Sequence, residues 1–353
     1  MSSKKSSETD IFGSSVSESG IPSELDLALI NALQLRARAS WAELAEPLGV
    51  TPNTLARRWK RLSDAGLVWV TAAPGRDFVQ SGCTAFVLIR TRPSERSRVV
   101  ARLVTYKEVA TVEVATGNND IILDVLTPDL KTLDRFLSDE LDHIPGIRST
   151  STMLATSLYL ESSRWRLRSL DASQLDALNN GTMSANPANY TTRLDMLDRS
   201  LLDLLVRNGR LTWIELAQAT DCSTATARRR VERLVASGVV TFRCDIARSL
   251  AGWPIQASLL AKAPAKDVDF ICEQLAAWPA CRLVAAVTGE ANVYATFWVR
   301  NLGEIQRLET ALDSRMPTMN VTERMVALDT PKRMGHLCDK DGRHIGVHPI
   351  APW

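Results

Sequence analysis

The 353-residue sequence has only four histidines and six cysteines, and neither set is spaced for chemistry. Cys83, Cys222, Cys244, Cys272, Cys281 and Cys338 contain no C-x-x-C pair, which argues against a zinc cage or disulfide framework; they read as small buried hydrophobes of a reducing compartment. His336, His344 and His348 cluster with Cys338 near the C-terminus at a spacing that matches no zinc pattern. Neither a metal nor a cofactor is therefore expected. No apolar run approaches the ~18 residues that would suggest a membrane span. The first twenty residues lack the apolar core of a signal peptide and read as a disordered tail, so a cytoplasmic protein with no membrane partner is expected. No nucleophile-base pairing or phosphate loop appears, which points away from an enzyme. A net charge of +2 is uninformative for the whole chain, but the cations are concentrated locally.

What the sequence does have is a repeat. Shifted by 172 residues it matches itself without a gap, with 15 identities in 43 positions over 26–68 against 198–240. Trp41, Glu43, Leu44 and Ala45 meet Trp213, Glu215, Leu216 and Ala217, and Arg38 meets Arg210. The same offset carries Thr116-Gly117 onto Thr288-Gly289 and Pro145 onto Pro317. Two copies of one unit, each with two segments of different character, suit a partner that is itself two-fold symmetric.

The first segment reads as three helices and a strand. Leu25, Leu29, Ile30 and Leu33 fall at helical spacing. Ser40 with Glu43 forms a capping-box pattern for a short second helix. Thr51-Pro52 opens a third with an N-cap hydroxyl and a first-turn proline. Leu55, Trp59 and Leu62 make its inner stripe and Gly66 ends it. A winged helix-turn-helix is expected over 21–72, and again over 194–245 with Thr212 and Glu215, Ser223, and the stripe Ala227, Val231, Leu234. Thr51, Asn53, Thr54, Arg57 and Arg61 in one copy, and Ser223, Thr224, Thr226, Arg229 and Arg233 in the other, lie away from these stripes. Hydroxyls and amides in the first turn and arginines beyond it suit base edges and phosphates in a DNA major groove. Arg58 and Arg230 flank the inner stripe, and either anchor phosphate or brace the helix.

The second segment reads as β-α-β-β-α-β, the ferredoxin-like split motif. It is expected over 82–160 and 254–330, with hairpin turns at 116–120 and 288–292. In the first copy, Leu130, Leu133, Phe136, Leu137 and Leu141 form the inner face of the second helix. Residues 161–193 read as a linker, with a short helix near 170–178, and 331–353 as a tail without regular structure. The fold class is thus α+β, two winged helix-turn-helix domains alternating with two ferredoxin-like domains.

The combination R-x-(S/T)-W-x-E-L-A, then (S/T)-x-x-T-x-x-R-R, then R-L-x-x-x-G-(L/V)-V, followed by βαββαβ with T-G-x-x-(D/N), resembles the Lrp/AsnC family of bacterial transcriptional regulators, in tandem form. The resemblance implies a sequence-specific regulator of double-stranded DNA. Its modules would pair through their sheets, and the chains would associate further, at least into dimers. It also implies a small effector, amino-acid-like, near Thr116, Gly117 and Asp120 and near Thr288, Gly289 and Asn292. Asn292 departs from the acidic pattern, and both glycines also fit a tight turn that needs positive φ. The double architecture is similar to that of sirohaem decarboxylases too. Those look to carry a histidine in the strand before the hairpin, and 109–117 and 281–289 carry none.

Overall fold

A computed structural model describes residues 22–75, 78, 81–161, 166–179, 194–248, 250 and 252–353. The expected N-terminal tail and most of the linker (162–165 and 180–193) lie outside the described residues. Helices α1 (Glu24–Leu35), α2 (Trp41–Ala45) and α3 (Pro52–Asp64) lead into strand β1 (Val68–Pro74). The chain continues through β2 (Cys83–Thr91), α4 (Arg96–Leu103), β3 (Val109–Ala115) and β4 (Ile121–Thr127). Helix α5 (Leu130–Arg135) widens into a π-helical stretch over Phe136–Leu141, followed by β5 (Ile147–Leu160). The wider turn re-aims the helix face: Leu133, Phe136 and Leu141 are buried, whereas Leu130, expected inside, is 61% exposed. After α6 (Ala172–Asn179) come α7 (Met196–Arg207), α8 (Trp213–Ala219), α9 (Thr224–Ala236) and β6 (Val240–Ile246). Strand β7 (Ile255–Lys262), α10 (Val268–Ala276), β8 (Cys281–Val287), β9 (Val293–Val299), α11 (Gly303–Arg315) and β10 (Asn320–Arg333) complete the second half.

Strands β5-β2-β4-β3 form one antiparallel sheet and β10-β7-β9-β8 another. Their edges meet, β5 on β8 and β10 on β3, so eight strands close into a barrel with no free edge between them. The joins obey the 172-residue offset: Ala155 faces Val287 in one and Ala327 faces Ala115 in the other. Apolar cores lie outside the barrel, beneath α4 and α5 in one half and α10 and α11 in the other. Part of the lumen is filled by Phe86, Leu88, Ile122, Met153, Tyr294 and Met325.

The helical units sit on a second, smaller sheet. The wings β1 and β6 pair antiparallel with Thr71 opposite Arg243, the middle pair of the ladder, where the pseudo-two-fold axis passes. Each wing packs across onto the other copy's first helix. Cys244 and Ile246 of β6 join the core of α1–α3, while Ala72 of β1 joins that of α7–α9. The segment around α6 packs on α1, where the Asn31 and Gln34 side-chain carbonyls accept the N–H groups of Ser169 and Leu167 at 2.9 Å each.

The C-terminal stretch corrects the expectation of an irregular tail. Strand β10 runs to Arg333, and β11 (His336–Cys338) pairs with both β10 and β12 (His344–Val347). The cause is burial at both ends of this hairpin. Lys332 donates from Nζ to the Tyr106 carbonyl at 2.7 Å, and His336 Nε2 sits 3.0 Å from the Val206 carbonyl. Ile350 packs into the core of the second helical unit. This strap has no counterpart among the described residues of the first half.

Candidate nucleic-acid interface

The local signals in the sequence set each recognition helix. Thr51 Oγ1 accepts the Thr54 N–H at the start of α3, and Ser223 Oγ accepts the Thr226 N–H at the start of α9, 3.3 and 3.1 Å. Thr54 and Thr226 also share hydroxyl hydrogen bonds with their caps, both 2.9 Å. The first-turn hydroxyls are therefore ordered before any ligand arrives. Asn53 and Thr224 stand exposed beside them, on helix N-termini whose free N–H groups favour phosphate.

Of the arginines, Arg57 and Arg229 are exposed, and neither has an ion-pair partner among the described residues. The other four turn back onto the protein. Arg58 and Arg61 meet the buried Asp26 carboxylate at 3.0 and 2.6 Å. Arg230 contacts Asp195 and, at 3.3 Å, Asp198, while Arg233 meets Asp198 at 2.6 Å. Arg58 and Arg230 thus act as braces. Arg61 and Arg233, expected to face outward freely, are half-exposed but anchored to a carboxylate, because Asp26 and Asp198 are buried next to the third helix and need cationic partners. Burial pushes Asp26 up, but the Ser23 N–H and hydroxyl with Arg58 and Arg61 outweigh it and hold the carboxyl below its usual value. Beyond Arg57 and Arg229 the two faces diverge: α3 carries the Lys60–Asp64 pair and α9 the Arg228–Glu232 pair.

Two residues that fix the pair of helical units were visible as repeat identities, yet had no assigned role. Arg38 donates to the carbonyls of Gly209 and, at 2.8 Å, Leu211, with its guanidinium 4.3 Å from the Trp213 ring centre. Arg210 returns the arrangement, donating to Ala37 and Ala39 at 2.8 and 3.0 Å and lying 4.0 Å from Trp41. Burial lowers both to about 10, and the nearby Arg210 adds to the effect at Arg38. Reciprocal clamps and crossed wings fix the two recognition helices relative to each other.

The hairpin positions are occupied by structural work. Thr116 N–H donates to the Val326 carbonyl and its hydroxyl accepts the Val326 N–H; Thr288 does the same with Leu154. Both threonines therefore staple the barrel joins. Asp120 Oδ2 accepts the Thr91 N–H at 2.7 Å and its hydroxyl at 3.1 Å. Asn292 clips the equivalent strand end both ways, accepting from the Ala263 N–H and donating to its carbonyl. Gly117 and Gly289 take φ of 105° and 118°, so the turn itself requires glycine.

Above the filled part of the lumen, toward the wings, lies a cavity of about 90 Å³ bordered by Glu113, Asp124, Arg243, Arg282, Gln256 and Trp298, among others. No group of His, Cys, Asp and Glu among the described residues is arranged to hold a metal. No described helix is long and apolar enough to cross a membrane.

Comparison with known proteins supports this geometry. Residues 23–63 match the AsnC-type helix-turn-helix domain, 84–165 the Lrp/AsnC ligand binding domain, and 194–241 a winged helix-turn-helix DNA-binding domain. An HTH-type transcriptional regulator of Pyrococcus abyssi is 34% identical over 137 residues, covering 38% of this chain and 86% of that protein. The regulatory protein AsnC of Escherichia coli is 27% identical over 133 residues, covering 37% of this chain and 87% of its own. Each relative thus corresponds to about one of the two repeats. Among solved structures, the siroheme decarboxylase NirDL matches with a TM-score of 0.58 at 11% identity, over 88% of this chain and 93% of its own, a likeness of fold. On sequence relatives and domain matches together, the chain belongs to the Lrp/AsnC family of transcriptional regulators.

Proposed function

We propose that the chain is a covalent pseudo-dimer: two winged helix-turn-helix units alternating with two ferredoxin-like units, which together read one pseudo-palindromic DNA site. The observation that carries this reading is the reciprocal clamping of the two helical units by Arg38 and Arg210, which presents the exposed Arg57 and Arg229 as a symmetric pair. Asn53, Thr54, Thr224 and Thr226 then lie nearest the bases, and Thr51 and Ser223 hold the helix N-termini in shape. Arg58, Arg61, Arg230 and Arg233 serve mainly as braces, with the exposed sides of Arg61 and Arg233 left to approach phosphate. Because α3 and α9 differ outside the shared arginines, the two half-sites are expected to differ in sequence.

A small effector, amino-acid-like in the family's manner, adjusts this binding. Thr116, Gly117, Thr288, Gly289, Asp120 and Asn292 contribute to its site by shaping the hairpins rather than by offering free polar atoms. The chains also associate further, at least into dimers, which light scattering on the purified chain checks: a mass equal to one chain removes that step. The DNA reading is tested by fluorescence anisotropy on upstream fragments captured by the protein. Tight binding that weakens steeply with salt supports it; affinity equal to that for random duplex at all salt concentrations refutes it. A siroheme-decarboxylase-like activity is the competing reading. At 11% identity the fold likeness does not carry it; unchanged absorbance of the protein mixed with a tetrapyrrole rules against it.

A further inference from the structure

The charges bordering the lumen cavity are divided between the two halves. The acids come from the first copy, Glu113 on β3, Asp124 on β4 and Glu161 just past β5; the guanidiniums come from the second, Arg243 on β6, Arg282 on β8 and Arg333 on β10. The 172-residue offset places Ala285, Thr296, Thr71, Ala110 and Glu161 at the matching positions. The first four of these are uncharged, so at four of the five positions the charge is present in one copy only. Two identical subunits cannot build such a one-sided site without building it twice.

The cavity also holds polar atoms without a hydrogen-bond partner among the described residues. Glu113 is 6% exposed and Arg243 4% exposed, and among the described residues Glu113 Oε2 and Arg243 Nε have no hydrogen-bond partner. The other Glu113 oxygen accepts from Gln256, whose own oxygen accepts the Trp298 indole N–H at 3.1 Å. The Arg282 guanidinium lies over the Trp298 ring, 3.8 Å from its centre, and Arg243 reaches Asp245 at 2.6 Å. Buried charge of this kind adds little to stability compared with apolar packing, while an unpaired atom costs free energy until something binds it.

The acids sit midway along their strands, whereas the arginines lie on the wing and at the wing-side strand ends. By the 172-residue offset Arg282 corresponds to Ala110, one strand residue from Thr111, which pairs with Asp124, and three residues from Glu113, on the order of 10 Å along the strand. A volume of about 90 Å³ holds roughly six to nine water-sized spheres. We infer that this cavity is a binding site for one compact zwitterion, with a cationic amine directed to Glu113 and Asp124 and an anionic carboxylate or phosphonate, several bonds away, directed to Arg282 and Arg243. Burial and the Glu113 carboxylate push Asp124 up to about 7, against the opposing effects of the Thr111 hydroxyl and Arg243. Arg243 is also a wing residue opposite Thr71, so the bound anion engages the strand that joins the helical units. The site is separate from the hairpins, and it needs no DNA.

Calorimetry on the full chain without DNA tests this with four probes: γ-aminobutyrate, 2-aminoethylphosphonate, butyrate and butylamine. One or both zwitterions should bind and raise the melting temperature, at least tenfold more tightly than either single-charge probe, and the tighter of the two identifies the anion. Glu113→Gln and Asp124→Asn, which keep shape and remove charge, should each weaken binding at least tenfold while circular dichroism stays native. Binding of neither zwitterion overturns the site. So does binding that survives both substitutions, or that is lost instead in Asp120→Ala at the hairpin. A failure of DNA binding in separate experiments leaves this result untouched.

Discussion

The pseudo-two-fold axis is obeyed in the helical units and broken in the barrel lumen. Around the recognition helices, Asp26 and Asp198 hold matching arginine pairs and Arg38 and Arg210 exchange clamps; at the barrel joins, Thr116 and Thr288 form matching staples. In the lumen, Glu113 corresponds by the offset to Ala285 and Asp124 to Thr296. A duplex with two half-sites demands similar readers held at a fixed relation. An interior cavity has no such obligation once both halves belong to one chain, and its two sides are free to specialise.

The largest expected effect sharpens the symmetric side. Arg57→Ala with Arg229→Ala should cost about 2–6 kcal/mol of DNA affinity, at roughly 1–3 kcal/mol per arginine, with unfolding free energy unchanged within about 0.5 kcal/mol. Equal losses in the two single variants would place both half-sites on the same footing; strongly unequal ones would carry the asymmetry out to the DNA.

The lumen should betray itself through pH. Asp124, raised to about 7 by burial and Glu113, binds its proton more tightly when folded than when unfolded. Its contribution is therefore favourable at pH below the unfolded value near 4 and is lost as pH rises to 7. Asp124→Asn should remove that dependence, gaining up to about 4 kcal/mol relative to wild type between pH 4 and pH 8 in urea titrations. An identical pH profile for the two proteins would contradict the raised value at Asp124.

Breaking the clamps should affect both halves alike. Arg38→Ala and Arg210→Ala each leave two carbonyls unpaired and remove a cation–π contact, a loss of about 2–4 kcal/mol apiece by chemical denaturation. Since the two guanidiniums crowd each other, the double variant should lose less than the sum. The smallest effect separates the hairpins. Asn292→Asp replaces a donor to the Ala263 carbonyl with a carboxylate and should cost about 1–2 kcal/mol. Asp120→Asn keeps its acceptor for Thr91 and should change melting by little, about 0.5 kcal/mol or less.

The local parts of this structure were readable because their causes are local. The caps at Thr51 and Ser223, the capping boxes at Ser40–Glu43 and Thr212–Glu215, and the helical stripes each depend on residues within one or two turns. Arg38 and Arg210 were visible as repeated residues, but their partners lie 171 to 173 positions away. The lumen was concealed by its own periodicity. In VATVEVA, Thr111 and Glu113 alternate with valines and read as the wet side of a half-buried strand; barrel closure turns that side inward. The DNA-facing arginines were half legible, since helical spacing puts Arg61 and Arg233 near the surface but cannot reveal a buried aspartate on another helix.

Closure of the barrel has a consequence for synthesis. Strand β10 seals the ring against β3, whose residues leave the ribosome some two hundred positions earlier. The nascent first half carries two naked borders, β5 until β8 emerges and β3 until β10 does, each able to pair with a stranger. Folding of this protein is therefore tied to long-range contacts that arrive late, and its yield should depend on how well those borders are shielded while translation finishes.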